Sequence, residues 1–228
     1  MLNVAVLFRN NKEFVAPFFF FLRKSTGMDL KVFALDNGSE DGTGEEVRKH
    51  MSLHDVLIES EDNKGIAGGR KLVIEEMKKV VGSYSDILLL DSDVFIIKRD
   101  SINRLCDAFA GNKSCGIAMG SVLSFNLEGE GVASKRHGIC FCLIRKEVFD
   151  TCGVFDPQFR MFYDDTDFMH RMKLADFIGA VRKDAECVHM WGSTTFVGSE
   201  GGEIRKKALE NDRKRFMAKW NIEIPEIK

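Results

Sequence analysis

At 228 residues, with 44% hydrophobic and 30% charged residues, the chain has the size and composition of one globular domain with a substantial core. Its formal net charge of −2 leaves no basic excess for a nucleic-acid partner. The densest apolar stretch, Phe14–Leu22, is about half the length of a membrane span and contains Pro17, and Asn3 and Arg9 interrupt any export signal at Met1.

In chain order, Asn3–Phe8 is a β-rich apolar run that reads as a first buried strand, and Lys12–Lys24 follows as a helix with Pro17 awkward in its first half. Leu30–Leu35 is a second strand, and the turn-rich stretch from Asp36 to Thr43 leads to a short helix over Gly44–His50. Asp55–Ile58 is a third strand. Gly65–Val81 is a helix whose apolar stripe includes Ile66, Leu72, Val73 and Met77. Ile87–Leu90 is a fourth strand. This alternation predicts an α/β domain built on a parallel, doubly wound sheet, with ligands at the carboxyl ends of its strands.

The pattern then changes. Ser101–Phe109 is a helix, Gly116–Phe125 a strand, Asn126–Lys135 a Gly/Glu-rich loop, His137–Ile144 a strand and Lys146–Cys152 a short helix. Asp165–Ala175 is helical, Ala185–Met190 a last strand, and Gly202–Trp220 a charged helix. Successive strands here predict some antiparallel pairing. The basic clusters Arg205-Lys206-Lys207 and Arg213-Lys214-Arg215 suit either a solvated face or peripheral contact with an anionic membrane. The six cysteines, without a metal-finger spacing, read as small buried hydrophobes kept reduced in the cytosol. Alternation in a strand would put Cys140 and Cys142 on one face, toward the core.

Several groups carry chemistry. The run Ile87–Leu90 stops at Asp91-Ser92-Asp93, which aims two carboxylates out of the sheet's carboxyl edge. Hard oxygen ligands on a short turn suit Mg²⁺ or Mn²⁺, although the same residues could simply end a strand or cap a helix. Asp36, with Asn37 and Ser39, could accept from a nucleobase N–H or a ribose hydroxyl, or serve a backbone turn. Asn63-Lys64-Gly65-Ile66-Ala67-Gly68-Gly69 opens a helix directly after a strand, suiting close ligand approach, an anion, or tight helix–sheet packing. Asp164, Asp165 and Asp167 crowd one helix start, where one acid would suffice as a cap. His189, on the last strand, fits a core position or a Mn²⁺ site.

The stretches from Leu35 to Thr43, Asn63 to Gly69, Asp91 to Asp93, Asp164 to Asp167 and His189 to Thr194 match in order the pattern of family 2 glycosyltransferases. The chain resembles that inverting group and its GT-A-type fold, nearest the rhamnosyl- and galactofuranosyltransferase-like branch. The resemblance implies one domain with a mostly parallel central sheet and helices on both faces. Residues 1–98 would be its nucleotide-sugar half, 99–200 its acceptor-side and catalytic half, and 201–228 its C-terminal helix. It implies a UDP, dTDP or GDP sugar as donor, a saccharide or other hydroxyl as acceptor, and Mn²⁺ or Mg²⁺ as cofactor.

Residue by residue, the resemblance assigns Asp36, Asn37, Ser39, Asn63, Gly65, Arg70, Asp91, Ser92 and Asp164 to the donor side. It assigns Asp93 and His189 to the metal and Asp165 to the general base; Trp191 flanks a sugar or covers the site. Arg70-Lys71 stands where the family has asparagine after the glycine pair, and Arg70 could reach a phosphate or a sugar hydroxyl. The first strand ends Phe8-Arg9-Asn10-Asn11, without the family's Pro-x-Tyr-Asn-like segment, so the resemblance carries no nucleotide contact to that end. The short run after His189 implies no processive extension. A sugar-nucleotide pyrophosphorylase would instead need a glycine-rich loop after the first strand, and a non-catalytic nucleotide or carbohydrate module would not need Asp93, Asp165 and His189 together.

Overall fold

The computed structural model describes residues 1–126, 134–136, 138–191 and 199–224. The expected alternation is present: β1 (Leu2–Phe8), α1 (Lys12–Lys24), β2 (Leu30–Asn37), α2 (Thr43–His50), β3 (Val56–Ser60), α3 (Gly65–Val81) and β4 (Ile87–Asp91). The four strands pair in parallel in the order β3-β2-β1-β4. Their register sets Phe8 beside Asp36 and Leu7 beside Asp91, so the polar strand ends share one edge.

Alternation along β1 divides the core. Val4, Val6 and Phe8 face α1 and α2, while Ala5 and Leu7 face α3. The helix α1 continues through Pro17, which costs about 3 kcal/mol for the lost hydrogen bond and ring clash. Burial of Val15, Phe18, Phe19 and Leu22 outweighs that, at about 1.5–3 kcal/mol for each side chain.

Beyond β4 come β5 (Val94–Ile96), α4 (Ser101–Asp107), β6 (Cys115–Asn126), β7 (Ser134–Arg136), β8 (Phe141–Ile144), α5 (Lys146–Cys152), α6 (Asp164–Leu174), β9 (Ile178–Trp191) and α7 (Ser199–Trp220). The sheet continues from β4 through β8, β6 and β9 to β5. The strand β8 is antiparallel to β4 and β6, β9 is parallel to β6, and β5 is antiparallel to β9. The expected antiparallel additions are therefore present.

Several boundaries differ from expectation, and the larger differences have physical reasons. The strand β8 begins at Phe141, because Ile139 and Cys140 form a turn after Gly138; His137 lies outside the described residues. Cys140 consequently packs against the α1 side of the core and Cys142 against the α3 side, not on one face. The stretch 126–135 is not all loop: β7 pairs back onto β6, and residues 127–133 lie outside the described residues. The strand β9 starts at Ile178, ahead of Ala185, with the charged run Arg182-Lys183-Asp184 interrupting its apolar pattern, and β5 is too short to read from periodicity.

On α7, Arg213 is buried and donates to the Ile224 carbonyl at 2.5 Å, while Lys214 and Arg215 pair with Glu210 and Asp212 at 3.3 and 2.7 Å. Much of the basic character of that helix thus has partners within the protein. Among the described residues, no helix is long and apolar enough to cross a membrane.

Candidate active site

Four turns leave the shared sheet edge. At the end of β2, Asp36 is buried and its Oδ1 accepts the Ser39 N–H at 3.0 Å, the backbone turn that its sequence also allows. The Asn37 amide oxygen accepts the Lys64 N–H at 3.0 Å, and its Nδ2 donates to Asn63 Oδ1 at 3.1 Å and to the Gly65 carbonyl at 3.2 Å. Asn37 therefore clamps the head of α3. Gly65 has φ +77°, and a Cβ there would lie 2.7 Å from the Arg160 carbonyl oxygen, so glycine is required twice over. The same carbonyl accepts the Ile66 N–H at 2.7 Å.

The turn after β4 carries the first charged group. Asp91, Asp93 and His189 each offer a ligand atom, and these atoms lie within 4.8 Å of one another. Sheet topology brings them together: antiparallel pairing of β5 with β9 sets Val94 opposite His189. His189 Nε2 lies 3.1 Å from Asp93 Oδ1, and the Cys140 sulfur is a second hydrogen-bond partner of the ring. Burial disfavours the imidazolium, but Asp93 and Cys140 outweigh it and push His189 up to about 11. Two carboxylate oxygens and an imidazole nitrogen at this spacing are a fitting donor set for a divalent ion, with imidazole favouring Mn²⁺ over Mg²⁺. Ser92 is buried beside them and accepts from Asn11 Nδ2 at 2.5 Å.

Arg70 links this group to a second one. Its guanidinium, 6% exposed, donates to Asp91 Oδ1 at 2.8 Å and to Asp164 Oδ2 at 2.7 Å, and lies over the Phe155 ring. Each terminal nitrogen thus binds one carboxylate. Burial opposes the guanidinium's charge, yet Asp91 and Asp164 outweigh it and hold Arg70 firmly protonated. For Asp164 the balance is reversed. Burial pushes its carboxyl up to about 6 against the pull of Arg70, with Asp165 and Asp91 adding to the rise. Asp165, next along α6, is exposed, and its Oδ1 accepts the Thr166 N–H at 2.7 Å.

Two cavities meet at these groups. One of about 420 Å³ is lined by Asn37, Asn63, Gly65, Asp91, Ser92, Asp93 and His189. The other, of about 330 Å³, is lined by Arg70, Asp91, Asp164, Asp165 and His189. Asp91, His189, Ile66, Met161 and Phe162 line both. Asp36 and Ser39 line neither, and Asp164 faces only the smaller one. Trp191 ends β9, but its side chain, like Gly192 to Thr194, lies outside the described residues.

Sequence reasoning missed part of the larger cavity's wall. Arg9, Asn10 and Asn11 line it from the end of β1, Arg160 from the loop before α6, and Arg205 from α7. Arg9 donates to the Asn37 and Gly38 carbonyls, each at 3.2 Å, which bridges two strand ends. The rule that placed three polar turns on the ligand edge applies equally to the end of β1. Arg160 carried no local signal, and Arg205 stood out only as part of a basic cluster read as a solvated face or a membrane contact.

Solved structures share this architecture. A mannosyltransferase from Pyrobaculum calidifontis, solved with GDP-Man and Mn²⁺, matches 98% of this chain with a TM-score of 0.70 and 15% identity. This chain spans 65% of that protein's length. TarS from S. aureus, solved over residues 1–349, matches 95% of this chain and 72% of its own, with a TM-score of 0.64 and 15% identity. GalNAc-T7, solved with UDP, GalNAc and Mn²⁺, matches 84% of this chain and 44% of its own, with a TM-score of 0.59 and 9% identity. No curated protein matches the sequence. These likenesses fix the fold as GT-A type. The sequence pattern described as glycosyl transferase family 2 matches residues 3–165, from β1 to the paired carboxylates at the head of α6, and the chain belongs to that family.

Proposed function

We propose that the protein is a metal-dependent, inverting glycosyltransferase that moves a sugar from a nucleoside-diphosphate donor to an acceptor hydroxyl in glycan or polysaccharide biosynthesis. The observation that carries this reading is the Asp91, Asp93 and His189 group at the junction of two cavities, with Asp165 on the wall of the second. Asp93 and His189, with Asp91 beside them, would hold a Mn²⁺ or Mg²⁺ ion, which would supply Lewis-acid stabilisation of charge on the departing diphosphate.

In this reading the larger cavity takes the UDP, dTDP or GDP portion of the donor. Asn37 and Asn63 shape its floor, Ser92 and Asp91 flank its diphosphate end, and Arg9, Arg160 and Arg205 give it a cationic wall. The smaller cavity takes the acceptor. Asp165, solvent-reachable and not tied to Arg70, receives the acceptor proton as the hydroxyl attacks the anomeric carbon. Asp164 stays bound to Arg70 and positions the head of α6. One displacement with one base inverts the anomeric centre, and no covalent intermediate is needed. Every cysteine is a free thiol, in keeping with a reducing, cytosolic setting.

The test is a screen of UDP-, dTDP- and GDP-sugars with the purified protein and Mn²⁺, reading new glycosides by mass spectrometry and their anomeric configuration by NMR. Transfer with inversion, abolished by chelation and restored by Mn²⁺, is expected. Retention of configuration, or full activity in a chelator, refutes the mechanism. Calorimetric binding of a donor with neither hydrolysis nor transfer refutes catalysis.

A further inference from the structure

We infer that α7, beyond the stretch 3–165 that matches the family, belongs to the catalytic apparatus through Asp212, a positioning residue for the loop that presents Asp165. The inference rests on the glycosyltransferase reading for its consequence, though not for its geometry.

Asp212 is 1% exposed, and its carboxylate is turned toward main chain. Its Oδ2 accepts the Met161 N–H and the Phe162 N–H, each at 3.0 Å, while Oδ1 accepts Arg215 Nη1 at 2.7 Å. Met161 and Phe162 are the two residues of this loop that line both cavities. Without Asp212 their N–H groups would lose the acceptor that satisfies them, which a partly buried loop does not tolerate well.

The residue that follows explains why the loop needs such a hold. Tyr163 has φ +63°, a left-handed conformation that a side-chain-bearing residue keeps only when its surroundings over-determine it. From α7, one turn beyond Asp212, the Phe216 ring packs on the Tyr163 ring with centroids 5.2 Å apart. From the other flank, the Arg160 carbonyl is tied to the Ile66 N–H at the head of α3. The loop is therefore held on both sides just before Asp164 and Asp165 begin α6.

Docking of α7 does not itself require this contact. Lys219 pairs with Asp156 and Asp167 at 2.7 and 2.6 Å, and Trp220 Nε1 donates to Asp167 at 3.0 Å. Two anchors at the helix's far end hold it on α6, and Asp212 is spent on the loop.

The test compares transfer kinetics, with Mn²⁺ and the donor found active, and backbone amide exchange across four full-length proteins: wild type, Asp212→Ala, Asp212→Asn and Lys219→Met. A displacement of about an ångström at a reacting group costs up to about 100-fold in rate, so Asp212→Ala should lower kcat about 10- to 100-fold, with a smaller change in donor KM. The Met161 and Phe162 amides should lose protection in the same variant. Asp212→Asn, whose amide oxygen can accept both N–H groups, should recover kcat to within about threefold of wild type by the same geometric argument. Lys219→Met should lower stability and leave kcat near wild type. Wild-type kcat and protection in Asp212→Ala, or an equal kcat loss in Lys219→Met, overturns the inference. Should Asp212→Ala fail to fold, Asp212→Glu decides. It keeps the charge but moves the acceptor by one methylene, so a folded protein with at least a tenfold lower kcat supports positioning and wild-type kcat overturns it. If the wild type transfers from no donor, the glycosyltransferase reading fails. Exchange at Met161 and Phe162 then still decides whether Asp212 holds the loop.

Discussion

Replacing Arg70 with Met tests the link between the two halves of the site. Arg70 is 6% exposed and satisfies Asp164, itself 5% exposed, while the Asp91 side chain keeps 33% of its surface in solvent. Water can therefore take over at Asp91 but not at Asp164, which becomes a buried, unpaired carboxylate. Removing one partner of such a pair costs about 3–5 kcal/mol. At about 2–4 °C per kcal/mol for a chain of this size, the melting temperature should fall by about 6–20 °C. The loss should also depend on pH. Burial already raises Asp164 from 3.8 to about 6 on folding, even with Arg70 pulling it down. A group raised in this way contributes stability that is complete below its unfolded value and lost as pH rises through its folded one. Without the guanidinium the folded value climbs further, so the loss extends to higher pH in the variant than in the wild type. Chemical denaturation in chelator at pH 5 and pH 8 should show the deficit of Arg70→Met larger at pH 8. A deficit equal at both pH values, or one under about 1 kcal/mol, would show that the buried ion pair is not what holds these elements together.

Asp93→Asn and His189→Ala should each weaken Mn²⁺ binding by about tenfold or more in calorimetry, since each removes one of three clustered ligands. Unchanged affinity in both would move the metal elsewhere. Asp165→Asn should lower kcat by about 10²–10⁴, the usual range for a lost general base, with melting temperature and Mn²⁺ affinity unchanged because the side chain is exposed. Full transfer by that variant would end its assignment as the base. Asn37→Ala, at a position 2% exposed, strands the Lys64 N–H and the Gly65 carbonyl and should destabilise by about 1–3 kcal/mol, read by urea denaturation. It should also raise donor KM, because the head of α3 forms the cavity floor.

What the sequence revealed, and what it hid, divides along the distance between interacting residues. The carboxylates Asp91 and Asp93 were legible because an apolar run breaks at them, and strand ends of a parallel sheet face the ligand edge. Asp93 and His189, by contrast, meet only through the β5–β9 pairing, and β5 is three residues long. Only the motif order pointed to that meeting. Arg70 was noticed, but its carboxylate partners lie 21 and 94 residues away, and no local pattern reveals them. Cys140 was misplaced because period-2 alternation applies only inside a strand, and β8 starts one residue later. Asp212 was hidden most completely. On a helix dense with both charges, one acid facing inward has the same local pattern as its solvated neighbours.

The neighbouring Gly69 and Arg70 show how a packing detail becomes a functional one. A Cβ at Gly69 would lie 2.5 Å from Leu7 Cδ1, so glycine lets α3 pack on β1 without displacing the end of the Leu7 side chain. Leu7 pairs in register with Asp91. The residue after the glycine is therefore delivered to the end of β4 with its side chain in reach of that carboxylate. A lysine there would present a compact point charge, whereas the flat guanidinium donates to carboxylates on β4 and on the head of α6 at once. Each such bond is worth about 1.5–3 kcal/mol, enough to hold both carboxylates to one geometry. Asp91 belongs to the metal-side group and Asp164 precedes the proposed base. One buried cation, set beside a close helix–sheet contact, thus ties the proposed diphosphate site to the proposed site of proton removal.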